Sequence, residues 1–376
     1  KMDLPLPIFQ QLRTSEAIQK YGGKTHSSHG GLWTDLDLAH DILEAKLKAK
    51  SISDQEAENL AYFIDNGYVV LDKIIPDGLI DAFLLEQEKI KRGEQTGHHV
   101  EYIDNGKHFH GKPFTPDLVG KKFKLIDSYA KCQTARLINL HPNISRFLNL
   151  LFEQPALAFQ SLNFFTGSGQ SIHQDTTYVR VDSPMNLVAT WIALEDIKPN
   201  TGELEFYSGS HRLPDFEFPG NPGKTDWFAE GQSKWFDRKN FEVHRKYIEW
   251  LSAESERRNL EKKRFMAKKG DVLFWTNDFA HGGSPSQKKE HSRLSLVTHY
   301  CPIQCNPYYF YTRMHSQKIQ HDESIFYAYV DHNSQQLPIG FNDNTYLRLN
   351  LDVAKAGMNA RLHYCLYGKN EKRPYK

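Results

Sequence analysis

Residues 161–181 read SLNFFTGSGQSIHQDTTYVRV. The opening residues favour a β-strand, TGSGQ carries turn chemistry, and TYVRV is β-branched and aromatic again. His173 and Asp175 stand between these strands, two positions apart. In an extended chain, residues i and i+2 project to the same face, so this imidazole and carboxylate point the same way. Thr176, Tyr178 and Arg180 follow the pair at alternate positions and are candidate substrate contacts.

Short β-rich runs extend the pattern on both sides: LAFQSLNFF at 157–165, LVATWIAL at 187–194, ELEFY at 203–207, DVLFW at 271–275 and RLSLVTHY at 293–300. Strands at this spacing predict an antiparallel sandwich or barrel, a mainly β chain with flanking helices of the α+β class. Upstream, Leu38, Ile42, Leu43 and Leu47 recur at helical spacing. Ser53 with Glu56 predicts a capping box, GYVVLDK at 67–73 a strand, and LIDAFLLEQEKIK at 79–91 a helix. The Gly- and His-rich stretch 93–123 reads as loops. A dense run of charge at helical period, 239–263, marks a helical insertion at about 225–265. It reads as a helix with a solvated face or as a cover over a site. The sheet signals fade beyond 315. The expected division is an N-terminal helical extension at 1–55, a β-rich main domain at 56–315, and a C-terminal extension at 316–376 with a small helical module at 345–376.

Composition removes several functions. The chain has 376 residues, with 47 Lys+Arg against 46 Asp+Glu and a net charge of +1. That balance argues against a general electrostatic grip on nucleic acid or an anionic membrane. No run approaches the roughly 18 apolar residues of a membrane-spanning helix. The start KMDLPLPIFQQL lacks a secretory pattern, so a cytoplasmic setting is expected. Four cysteines form no disulfide framework, and Cys301 with Cys305 lack a second pair to complete a zinc site. The sequence leaves the oligomeric state open.

The 18 histidines invite a metal reading, but composition alone gives about two His-x-acid pairs by chance. The chain has three: His99/Glu101, His173/Asp175 and His321/Glu323. Only His173/Asp175 lies between strands and has a distant partner. GDVLFWTNDFAHGG delivers His281, 108 residues after His173. Two imidazoles and one carboxylate take one face of an octahedral ion such as Fe(II) and leave positions for co-substrate and O2. Arg293 follows twelve residues later. Its planar fork matches a carboxylate, such as the distal end of 2-oxoglutarate.

These motifs, in this order, resemble the phytanoyl-CoA dioxygenase family of Fe(II)/2-oxoglutarate oxygenases. The likeness rests on HQD at 173–175, Trp191, PNTGELEFYSGSHR at 199–212, and GDVLFW, HGG and R-x-S within 270–295. FIDNGYVVLDKIIPDGLIDAF at 63–83 is similar to the family's opening segment, and the likeness spans about 56–302. It implies a double-stranded β-helix, the cupin-like jelly roll. It implies His173, Asp175 and His281 as iron ligands, and Arg293 and Ser295 as the grip on the 2-oxoglutarate distal carboxylate. Gln174 and Trp191 match positions lining the site, and Asn163 is a further candidate for a co-substrate hydrogen bond. Gly283 stands where some relatives have a serine. Halogenases of this kind lack the carboxylate, so Asp175 favours hydroxylation or another oxidation.

The implied reaction oxidises an unactivated C–H bond of a small molecule while 2-oxoglutarate is decarboxylated to succinate and CO2. Hydroxylation leads; oxidative cyclisation or desaturation is the alternative within the same chemistry. A non-catalytic jelly-roll binding protein is the alternative from another class. His211 and Arg212 read as loop-fixing residues. Residues 346–375 resemble a short bacterial repeat that accompanies cell-surface glycan assembly, beside the plainer reading of a structural cap.

Overall fold

The computed structural model describes residues 15–27, 30–181, 183, 185–216, 241–288, 291–308, 316–330, 337–338, 340–356, 358, 360–369 and 371–376. Trp227, Trp235 and Phe236 of the insertion lie outside these residues.

Two antiparallel sheets face each other. The larger runs in the order Tyr68–Leu71, Val272–Thr276, Val188–Ala193, Ser295–Pro302, Ala156–Phe164, Phe123–Ile126, His99–Asp104, Lys107–Pro113. The smaller contains His281–Gly283, Leu204–Tyr207 and Lys262–Phe265, and an isolated bridge ties His173 to His281 at its edge. The chain alternates between them. It passes from Ala156–Phe164 to His173, back to Val188–Ala193, out to Leu204–Tyr207 and Lys262–Phe265, and returns through Val272–Thr276, His281–Gly283 and Ser295–Pro302. That winding is a double-stranded β-helix.

Strand alternation sorts the large sheet into two faces. Trp191, Leu273 and Trp275 point inward, where Leu204 and Phe206 of the small sheet meet them. Ile192, Phe274 and Leu296 point outward to helices. Asp77–Lys91, Gln133–Asn139 and Pro142–Phe152 cover that face with Ile80, Phe83, Ile138, Phe147 and Leu148. Leu32, Trp33, Ile42 and Leu43 of the N-terminal segment join the same core. Burying each such side chain contributes about 1.5–3 kcal/mol, so this outer layer supplies much of the fold's stability.

The helix Asp54–Asn66 begins as its sequence signals. Ser53 Oγ accepts from Glu56 N at 3.2 Å, and Glu56 Oε2 accepts from Ser53 N at 2.9 Å. It ends at Gly67, whose φ of 77° suits glycine. His211 packs there: a Cβ built on Gly67 would lie 2.5 Å from its Nδ1. His211 Nε2 and Arg212 Nη2 both donate to Ile64 O, at 3.0 and 2.9 Å. The GSHR motif therefore ties the small sheet to a helix end.

Two expectations are corrected. Residues 93–123 are not all loop, because His99–Asp104 and Lys107–Pro113 form a hairpin on the large sheet. Its turn is Asn105-Gly106, with φ of 48° and 72°. Asn-Gly with both φ values positive is a two-residue hairpin turn. High polarity masked that signal. Beyond 315 the sheet continues, since Ile325–Tyr327 pairs in parallel with Ala156, Leu157 and Ala158. A three-residue strand is too short to declare itself by period.

Candidate metal centre

The residues expected to bind a metal sit where the two sheets are stitched. His173 N donates to His281 O at 2.8 Å, and His281 N donates back to His173 O at 3.0 Å. This exchanged pair puts both imidazoles on one side, with ring centroids 4.5 Å apart. Asp175 opens the short 3-10 turn Asp175–Thr177. It reaches the histidines through that turn and not along a continuous strand. Donor atoms of His173, Asp175 and His281 lie within 4.8 Å of one another, and all three residues are buried. Among the described residues no other His, Cys, Asp or Glu triplet meets that condition.

Hydrogen bonds orient each donor. His173 Nδ1 donates to Ser171 O at 2.8 Å and His281 Nδ1 to Phe279 O at 2.9 Å. With those protons committed, both Nε2 lone pairs are available to an ion. Asp175 Oδ1 lies 3.8 Å from His173 Nε2 and 3.5 Å from His281 Nε2. Its other oxygen, Oδ2, accepts from Trp275 Nε1 at 2.6 Å. Burial opposes ionisation of Asp175, but His281, His299 and His173 together hold its carboxyl below the ordinary carboxylate range. Burial, then the neighbouring His281, pushes His173 down to about 3. Neutral imidazoles beside a carboxylate are the protonation states a metal requires. The donor set fits a divalent first-row ion such as Fe(II).

Arg293 precedes the strand Ser295–Pro302 and is 3% exposed. Its Nη1 donates to Ser295 Oγ at 2.6 Å. The guanidinium carbon lies 5.3 Å from the Phe164 ring and 5.6 Å from the Trp191 ring. Its Nε has no hydrogen-bond partner, and it forms no ion pair among the described residues. Burial lowers its pKa to about 10, against the pull of Glu195 and Glu203, so it stays charged at neutral pH. A buried cation without an anion is costly unless a ligand completes it.

The other expected residues divide. Trp191 lines the interior beside Arg293. Asn163 does not: it pairs with Leu296 and Leu125, on the face opposite Ser295, and both its amide atoms are buried without partners. Gln174 is spent on protein partners, with Nε2 donating to Asp278 O at 2.8 Å and Oε1 accepting from Tyr247. Thr176 Oγ1 likewise donates to Asp278 Oδ1 at 2.8 Å. The 3-10 turn ends the strand alternation that grouped Thr176, Tyr178 and Arg180. Tyr178 nevertheless packs edge-on against His173, 5.4 Å between centroids, and its hydroxyl meets His244 Nε2 at 3.0 Å. The Arg180 side chain lies outside the described residues. At Gly283 an added Cβ would meet Ser168 Oγ and lie 3.0 Å from Gly169 N, so a side chain there requires Ser168 to move.

Sequence reading missed Trp275, His299, Tyr247 and His244. His244 and Tyr247 lie on the helix Phe241–Arg257, so this helix touches the His-x-Asp segment. For His299 a signal existed: 293, 295, 297 and 299 alternate onto one strand face. For Trp275 there was none, since only folding brings its indole to a carboxylate 100 residues away.

A double-stranded β-helix with this donor set and a buried guanidinium is the construction of a non-haem iron oxygenase that uses 2-oxoglutarate. The phytanoyl-CoA dioxygenase (PhyH) profile matches residues 63–293. The peroxisomal phytanoyl-CoA dioxygenases of Bos taurus and Homo sapiens are each 23% identical over 266 residues, covering 66% of this chain and 69% of theirs. Among solved structures, the non-haem α-ketoglutarate-dependent carbocyclase SnoK from nogalamycin biosynthesis aligns with a TM-score of 0.48 at 16% identity, covering 69% of this chain and 87% of its own. EctD from S. alaskensis with bound Fe aligns at 0.46 and 14%, covering 69% and 80%. The chain belongs to the phytanoyl-CoA dioxygenase family. It is an oxidoreductase of the dioxygenase kind, and His173, Asp175 and His281 form a set that could hold a metal ion. Among the described residues no helix is long and apolar enough to cross a membrane.

Proposed function

We propose that this chain hydroxylates an unactivated C–H bond of a small molecule. In this reading His173, Asp175 and His281 hold Fe(II), and Arg293 with Ser295 binds the distal carboxylate of 2-oxoglutarate. The observation that carries it is the guanidinium of Arg293, buried between Phe164 and Trp191 with no carboxylate paired to it among the described residues. A binding protein has no need of both a buried, unpaired guanidinium and a three-donor metal face.

Bound iron, with 2-oxoglutarate and O2, supplies oxidative decarboxylation to succinate and CO2 coupled to removal of hydrogen from a substrate carbon. The protein does the rest. Ser171 and Phe279 carbonyls fix the imidazole tautomers, and Trp275 fixes the carboxylate. Arg293 and Ser295 set the co-substrate's direction by anchoring its far end. Trp191 and Phe164 keep water from that ion pair, which strengthens it. Gln174 and Thr176 are committed to Asp278, which leaves Tyr178 as the side chain of this segment placed to meet substrate. The helix Phe241–Arg257 covers that side through His244 and Tyr247. With a net charge of +1, substrate recognition falls to such local contacts.

The test is a small-molecule screen with Fe(II) and 2-oxoglutarate, read by succinate and by product mass. Hydroxylation adds one oxygen; a product lighter by two hydrogens replaces it with desaturation or cyclisation. An iron-loaded His173→Ala variant with full turnover would overturn the assignment.

A further inference from the structure

The two oxygens of Asp175 are treated differently. Oδ1 is the one that approaches both His173 Nε2 and His281 Nε2. Oδ2 accepts from Trp275 Nε1 at 2.6 Å. A second group faces the same oxygen: His299 Nε2 lies 3.4 Å from Oδ2, an ion-pair distance longer than an ordinary hydrogen bond. His299 is 3% exposed, and neither of its ring nitrogens has a hydrogen-bond partner. A buried imidazole with both nitrogens idle is uncommon and calls for a cause. Its place in the fold supplies one. His299 pairs with Ala189, two positions from the Trp191–Val297 pair, so it stands on the inward face. It shares that face with Ser295, on the strand that also positions Arg293.

We infer that His299 is a positioning residue for the metal centre: together with Trp275 it holds Oδ2 of Asp175 away, so that Asp175 offers the ion a single oxygen, Oδ1. The count of positions explains why this matters. An octahedral ion with three protein donors keeps three positions, two for the 2-oxo acid end of the co-substrate and one for O2. A carboxylate that swung round to bind through both oxygens would fill one of them. Trp275 alone leaves the carboxylate free to pivot about one hydrogen bond. A second ring nitrogen 3.4 Å from the same oxygen, in a site closed to water, attracts that oxygen and limits the pivot. One strand therefore carries both the anchor for the co-substrate and the brake on the ligand. This inference rests on the metal centre proposed above.

The experiment compares His299→Leu and His299→Gln with the unsubstituted protein. Gln keeps an N–H near the Nε2 position, and Leu keeps bulk without a donor. Fe(II) affinity of the metal-free protein is measured by anaerobic calorimetry. The visible charge-transfer absorption of the Fe(II)–2-oxoglutarate complex is recorded without O2, and thermal unfolding of the metal-free proteins reports folding. The expected result is Fe(II) binding weaker by about tenfold in His299→Leu, with a displaced charge-transfer band, and values near those of the unsubstituted protein in His299→Gln. The inference is overturned if His299→Leu matches the unsubstituted protein in affinity and band, or if Leu and Gln are equally impaired, which marks a packing role. If the unsubstituted protein itself binds no Fe(II), the metal centre falls and the inference with it.

Discussion

Arg293 Nη1 donates to Ser295 Oγ at 2.6 Å, two residues along one strand edge, while the aromatic rings of Phe164 and Trp191 flank the same guanidinium. The serine holds one prong of the fork, and the buried Nε has no partner. Replacing Arg293 with Lys keeps the charge but loses the planar fork. The expected outcome is a KM for 2-oxoglutarate raised about 10- to 100-fold with a smaller fall in kcat, measured by succinate formation. An unchanged KM would place the co-substrate elsewhere.

Metal binding should stabilise the fold, because the three donors converge only after His173 and His281 have bridged the sheets. Saturating Fe(II), or Mn(II) as an air-stable substitute, is expected to raise the Tm, by about 3 kcal/mol of linkage at a hundredfold excess over Kd. A chelator should reverse the rise. His281→Ala should abolish it while leaving the metal-free protein folded, and a persistent rise in that variant would point to another site.

Tyr247 is fully buried on the helix Phe241–Arg257 and donates to Gln174 Oε1, between two proposed ligands. Tyr247→Phe removes that hydrogen bond from a buried amide oxygen. The expected cost is about 1–3 kcal/mol in denaturant unfolding. A loss below a few tenths would show that the helix is held by its apolar contacts alone.

Gly67 closes the helix Asp54–Asn66 with a φ of 77°, and the His211 ring fills the space where a side chain would start. Gly67→Ala meets both a disfavoured backbone region and a close contact. A destabilisation of at least about 2 kcal/mol is expected in urea titrations. His211→Gly in the same chain should recover the contact part and leave the backbone part.

Burial, then His281, holds His173 down to about 3, and burial holds His211 down to about 4, against an ordinary value of 6.5. In the unfolded chain both regain protons near the ordinary value, so through this window the unfolded state binds more protons than the folded one. Stability of the metal-free protein therefore rises with pH from about 4 to 6.5 and is lost as the pH falls below 6.5. Unfolding at pH 7, 6 and 5 measures the slope. His211→Gln should flatten it, and a slope that stays the same would remove His211 from the account.

The sequence by itself determined the local pieces whose signals are short-range. Ser53 with Glu56 announces a helix start, Gly67 announces its end, and the strand runs from 157 to 300 announce a β core. It also singled out His173, Asp175, His281 and Arg293, because each has a spacing or strand context that chance does not supply. Even the hairpin at Asn105-Gly106 was written in the chain, although its polar surroundings hid it. What needed the tertiary structure was every relation set by sheet register. The face on which Asn163 lies depends on pairing with Leu125 and Leu296, and one step of register would have reversed it. Gln174 sits between two ligands in the chain, yet Tyr247 and Asp278 take its amide. Trp275 and His299 meet Asp175 only because two sheets close around a common interior. Local propensity depends on neighbours in the chain, and a site depends on which distant strands lie side by side.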